Sequence, residues 1–75
     1  MRIIRPSITL LNLQVIYDPV NHQHYQIMSQ YYDYTLGKNM VVLAYLTYDY
    51  TTTATITISR DSMNYTMILL DVALG

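Results

Sequence analysis

The sequence predicts a small, mainly β fold: an antiparallel sheet of about five strands, arranged as a meander or a sandwich. Three observations point there. Nine tyrosines, nine threonines, eight isoleucines and five valines make up 31 of the 75 residues. Branching at Cβ and flat rings fit a pleated surface better than a helical one. Strong helix formers are scarce, with three alanines, one lysine and no glutamate. Several segments alternate apolar and polar side chains with period two, between clusters of turn-forming residues.

The elements follow in order. Pro6 keeps Arg5 extended and limits where pairing can begin. Ile8–Tyr17 reads as a strand, with Leu11, Leu13, Val15 and Tyr17 on one face and Asn12 and Gln14 on the other beside Ile8, Leu10 and Ile16, so both faces have apolar ends. Asp18-Pro19-Val20-Asn21 is a turn, because proline presets φ and the Asp and Asn side chains bond nearby backbone. In His22–Tyr31, Tyr25, Ile27 and Tyr31 alternate against His24, Gln26 and Gln30, with Met28 an apolar exception. Ile8–Tyr31 therefore reads as a hairpin.

Asp33–Asn39 is a loop in which Gly37 allows positive φ. Met40–Tyr50 is a strand whose residues from Val41 to Leu46 are apolar on both faces. Such a strand is central, or its outer face meets another subunit. Thr51–Ser59 alternates most cleanly, with Thr51, Thr53, Thr55 and Thr57 opposite Ala54, Ile56 and Ile58. Arg60-Asp61-Ser62 turns the chain, and Tyr65–Val72 closes it as a strand. Residues 62–74 also admit a helix: Asp61 or Ser62 could cap it, Met63, Met67, Leu70 and Leu74 fall at helical spacing, and Gly75 would sit near the C-cap. Tyr32-Asp33-Tyr34-Thr35 recurs as Tyr48-Asp49-Tyr50-Thr51, which reads as composition rather than duplication.

Composition narrows the function. The charged fraction is 12%, about half the ~25% of soluble domains. A single domain of this length buries only roughly 60% of its unfolded surface and needs a staple. There is no cysteine, so no disulfide, thiol chemistry or Cys-type zinc site. A partner chain is the expected staple. The net charge of −1, with Lys38 and Arg60 isolated and Arg2 and Arg5 terminal, offers no clustered basic face for nucleic acid. No stretch approaches the ~18 apolar residues of a spanning helix, no targeting segment is visible, and Met1 fits a natural start.

Chemistry-bearing groups are sparse. His22 and His24, two apart on a strand, would share a face and could hold a metal with Asp18 as a third ligand. A solvated hairpin is the plainer reading, so neither metal nor cofactor is expected. Asp18, Asp33, Asp49 and Asp61 sit in or beside turns, where aspartate bonds its own backbone. Ser59 and Ser62 lack a neighbouring histidine and nucleophile-elbow glycines. Two glycines cannot build a phosphate loop, and a chain this small struggles to enclose a pocket of ~300 Å³. Asn64-Tyr65-Thr66 matches the N-glycosylation pattern. The tyrosines stand out instead. Tyr31, Tyr32, Tyr34, Tyr45, Tyr48 and Tyr50 are the expected interface or ligand contacts, because tyrosine offers a large, stiff, amphipathic surface.

Gly37-Lys38, Ala44-Tyr45-Leu46-Thr47-Tyr48-Asp49 and Thr57-Ile58-Ser59-Arg60-Asp61 together resemble the middle strands of a variable-type immunoglobulin domain, over roughly residues 37–70. The chain departs from that family in having no cysteine pair, no core tryptophan and no final strands. The resemblance implies an antiparallel β-sandwich and carries no binding residue.

Low charge, strands apolar on both faces and no internal staple give one expectation. The chain is a non-enzymatic structural subunit of a homo-oligomer or a larger assembly (virion, filament or complex). Neighbouring subunits would complete its sheet by β-edge pairing and Tyr- and Met-rich contacts. The alternative is a small binding module whose exposed tyrosines hold a protein or carbohydrate.

Overall fold

The structure, a computed structural model, describes residues 2–5, 7–63 and 66–73. Its strands are β1 (Arg2–Ile3), β2 (Gln14–Asp18), β3 (Gln23–Asp33), β4 (Lys38–Leu46), β5 (Thr52–Ser59) and β6 (Ile68–Ala73). They form one antiparallel sheet in the order β1-β6-β2-β3-β4-β5. β2 to β5 are a meander of consecutive hairpins. A 3-10 turn at Arg60–Ser62 then starts the crossing that inserts β6 between β1 and β2. The mainly β, antiparallel expectation holds. Of the two arrangements expected, the chain adopts the meander in a single sheet, so the layered sandwich implied by the immunoglobulin resemblance is not formed.

All three hairpin turns use one device, an aspartate whose carboxylate accepts the backbone N–H two residues on. Asp18 Oδ1 accepts from Val20 N at 3.0 Å and Asn21 N at 3.4 Å, and its Oδ2 accepts from Asn21 Nδ2 at 2.7 Å. Asp33 Oδ1 accepts from Thr35 N at 2.9 Å and Leu36 N at 3.0 Å. The loop closes with Gly37 N–H donating to Asp33 O at 2.7 Å, Gly37 itself lying at φ 65°. Asp49 Oδ1 accepts from Thr51 N at 3.3 Å and from the Thr47 hydroxyl. The repeated Tyr-Asp-Tyr-Thr thus marks the two turns that flank β4. It has a structural role beyond composition.

The core lies on one face. Ile16, Tyr25 and Tyr45 stand side by side across β2, β3 and β4, and Ile27, Leu43 and Ile56 across β3, β4 and β5. Leu69 of β6 pairs with Ile16, and Val41 with Ile58. The two long connections cover this face with Ile4, Ile8, Leu10, Met63 and Met67. Each such side chain, fully buried, contributes about 2 kcal/mol. Arg60 ties the two connections together, its Nη2 donating to Arg5 O at 2.7 Å and Ile8 O at 3.1 Å. On the opposite face Val15, Gln26 and Ala44 are buried in register, with Gln26 Nε2 donating to Leu13 O at 3.2 Å.

Several expectations need correction. Ile8–Leu13 is not strand: it crosses the core face, burying Leu10 and exposing Leu11 and Leu13. Leu13 takes φ 74°, which an L residue in a ladder does not adopt, while its N–H donates to Ile27 O. In β3 the alternation breaks at Met28, a bulge residue with no partner on β4. It moves Gln30 onto the core face opposite Val41 and Tyr31 onto the other face opposite Met40. Tyr31 therefore does not share a face with Tyr25 and Ile27. β4 ends at Leu46, and Thr47–Tyr50 is a turn with Tyr50 at φ 63°. β4 is an internal strand, and from Met40 to Leu46 its residues are buried or half-buried on both faces by this chain alone. The strand reading of the last segment is the one realised, as β6, with Met63 and Met67 reaching the core from the connection. Pro6, Asn64, Tyr65, Leu74 and Gly75 lie outside the described residues, and with them the glycosylation triplet and the helical C-cap.

Candidate functional site

A single sheet has two edges, and here they differ. β1 offers two residues. β5 offers eight, Thr52–Ser59, with neither proline nor charge, and among the described residues only β4 pairs with it. Its Ile56 and Ile58 turn to the core, while Thr52–Thr55 and Thr57 are exposed. Natural edges are normally blunted by charge, proline or a cover. β5 has one irregularity, where Thr53 and Ala54 together oppose Tyr45. From Thr55 to Ser59 the register is unbroken.

The six expected contact tyrosines divide into groups. Tyr31 and Tyr32 lie near the β3–β4 loop, each 47% exposed, and Tyr32 meets Tyr34 edge to face at 4.9 Å between ring centres. Tyr34 is 89% exposed. Tyr48 (98% exposed) and Tyr50 sit in the turn at the other end of β4. Tyr32 stands opposite Asn39, seven steps along β4 from its far end at Leu46, or about 23 Å at 3.3 Å per step. Tyr45 is half-buried: it packs against the core beside Tyr25, with ring centres 5.2 Å apart, and its remaining surface faces a cleft shared with Tyr48. Among the described methionines only Met28 is exposed, since Met40, Met63 and Met67 are buried. The expected methionine contribution to contacts narrows to that residue.

The histidines are not paired on one strand face. His22 precedes β3 and takes φ 53°, its Nδ1 lying 3.4 Å from Tyr17 Oη. His24 is half-buried between aromatic rings, 4.6 Å from Tyr17 and 6.0 Å from Tyr50. Asp18 is held by its own turn. Among the described residues no three histidine or carboxylate groups converge on a metal position.

Among the described residues, two clefts stand out, and both are open to solvent rather than enclosed. One, of about 550 Å³, gathers His22, His24, Tyr45 and Tyr48. The other, of about 610 Å³, lies between Ile8–Leu10 and the β3–β4 ladder and gathers Gln30, Tyr31, Tyr32, Asn39 and Arg60. Sequence reasoning set Arg60 aside as isolated; nothing local marks it, because its partners are carbonyls more than fifty residues away. Two groups have shifted titration. Burial, and then the neighbouring Tyr45 phenol and Asp18 carboxylate, push the Tyr25 phenol above its ordinary 10.0. Hydrogen bonds from Thr47 and Thr51 hold the exposed Asp49 carboxyl below its ordinary 3.8. No described helix is long and apolar enough to cross a membrane. The chain matches no protein-family model, no curated protein and no solved structure.

Proposed function

We propose that this chain is a non-enzymatic structural subunit that joins a second copy of itself edge to edge through β5. Such pairs would be the unit of a larger assembly such as a virion or filament. The observation that carries this reading is the uncharged edge of β5, unbroken from Thr55 to Ser59 and open on its outer side among the described residues. A strand without charge can lie antiparallel to its own copy with no like-charge clash. The two-residue β1 edge is too short to receive an eight-residue strand, so head-to-tail pairing is disfavoured against the isologous β5–β5 pair. Net charge near zero favours association. Burial of β4 within the chain removes one reason for expecting partners and concentrates the case on β5. Tyr31, Tyr32, Tyr34 and Met28 would supply secondary contacts.

Sedimentation velocity across a range of concentrations tests this. The wild type is expected to associate. The double variant Thr55→Lys/Thr57→Lys places charge on exposed positions of the edge and leaves the core untouched, so it should sediment as a monomer. A wild type that stays monomeric at all concentrations overturns the reading.

A second reading rests on Tyr34 and Tyr48, which are almost fully exposed. Rings so placed would serve as anchors for a protein or carbohydrate ligand, each end of β4 contacting a separate part of it. Tyr34→Ala and Tyr48→Ala variants that associate normally but lose a ligand would favour this binding module.

A further inference from the structure

We propose that the cleft between Ile8–Leu10 and the β3–β4 ladder binds a small organic carboxylate, with Arg60 as its charge partner. The cleft's volume of about 610 Å³ falls within the ~300–1,000 Å³ of small-molecule sites. Arg60 is half-buried in its wall and is fixed, because Nη2 is held by Arg5 O and Ile8 O. Those acceptors are neutral. They orient the guanidinium without cancelling its charge. Guanidinium carries five N–H donors, and the Nε and Nη1 groups have no acceptor among the described residues. No aspartate lines the cleft, so among the described residues a positive charge stands preorganised there with no carboxylate in the wall.

The rest of the wall points to the ligand class. Ile8, Leu10 and Val41 form an apolar side on the core face suited to a hydrocarbon or aryl body. Asn39 adds an amide at the rim, while Gln30 is already spent, its Nε2 donating to Leu10 O at 2.8 Å and to Asn12 Oδ1 at 3.2 Å. Gln30 and Arg60 thereby hold the Ile8–Leu10 segment at two points and keep the cleft's shape. A carboxylate against a fixed guanidinium, with its apolar body along Ile8 and Val41, satisfies each of these groups. Bare inorganic anions would leave the apolar side wet. The cleft adjoins the end of the β5 edge, with Arg60 following Ser59 and with Tyr31 and Tyr32 in its wall, but carboxylate binding there does not require self-association.

The test is an NMR titration of the full chain with benzoate, benzamide and inorganic phosphate. Benzoate should give saturable shifts at Ile8–Leu10, Asn39–Val41 and Arg60. Benzamide and phosphate should bind about tenfold more weakly, because each lacks half of the match. Arg60→Gln should weaken benzoate about tenfold. Because that change also loosens the Ile8–Leu10 segment, Asn39→Asp provides a second variant: it adds a repelling charge at the rim, keeps Arg60's contacts, and should also weaken benzoate. Equal binding of benzoate and benzamide, equal binding of benzoate and phosphate, or benzoate shifts unaffected by Asn39→Asp would each overturn the proposal.

Discussion

Removing the Asp18 carboxylate should unhinge the β2–β3 hairpin at a cost that can be worked from its contacts. Asp18 is 1% exposed and accepts three hydrogen bonds, two from backbone N–H groups and one from the Asn21 amide. Hydrogen bonds to a charged acceptor contribute ~1.5–3 kcal/mol each when buried. Here Val20 and Asn21 are exposed, so water replaces much of what their N–H groups lose. A net destabilisation of about 2 kcal/mol follows for Asp18→Ala. Against a total of roughly 4–11 kcal/mol for a chain of this length, that is a large share. With a urea slope of ~1 kcal/mol/M, the unfolding midpoint should fall by about 2 M. Asp18→Asn keeps an acceptor for the backbone N–H groups but faces the Asn21 amide with a second donor, so about half that loss is expected. Urea unfolding followed by circular dichroism reads both variants. A midpoint for Asp18→Ala within about 0.3 M of the wild type would refute the reasoning, as would an Asp18→Asn variant weaker than the alanine.

Other outcomes follow from the core and from the two shifted groups. Leu43, 1% exposed between Ile27 and Ile56, should cost about 3 kcal/mol when changed to alanine, by the same urea measurement. Tyr25 has a raised folded-state value, so its contribution is fully present below its ordinary value of 10.0 and is lost as pH rises through the folded one. Tyr25→Phe should flatten the decline in thermal midpoint above that pH. Asp49 is shifted the other way: the turn's contribution is present above the ordinary 3.8 and lost as pH falls through the lowered value. An NMR titration of Asp49 should show its midpoint rising in Thr47→Val, which removes the hydroxyl donor.

The turns and the β5 pattern were legible because their causes are local. Asp18-Pro19 and Asp33 with Gly37 carry their own hydrogen-bonding chemistry. The alternation of β5 directly records one face on a core. Features set by distant partners were not legible. Ile8–Leu13 reads as a strand, but its apolar residues are sorted by a crossing rather than a ladder, with Leu10 buried and Leu11 and Leu13 exposed; here Arg60 and Gln30 hold the segment over the core as a cover. The bulge at Met28 has no glycine to announce it, and it reverses the facing of every later residue in β3. The insertion of β6 beside β2 joins strands about fifty residues apart and leaves no mark in either. The Thr47–Tyr50 turn could have been found, since Tyr48-Asp49-Tyr50-Thr51 repeats the Tyr32-Asp33-Tyr34-Thr35 that precedes the other turn of β4. The tyrosines were legible as a surplus. Their division between two ends of the sheet was not, because it depends on where β4 begins and stops.

Hydrogen exchange at β5 tests the central claim most directly. In an edge strand, alternate amides point away from the sheet and exchange freely unless another strand covers them. If β5 pairs with a second copy, the outward amides within Thr55–Ser59 should become protected as protein concentration rises, and Thr55→Lys/Thr57→Lys should abolish that protection. Fast exchange of those amides at every concentration would contradict an assembly built on this edge.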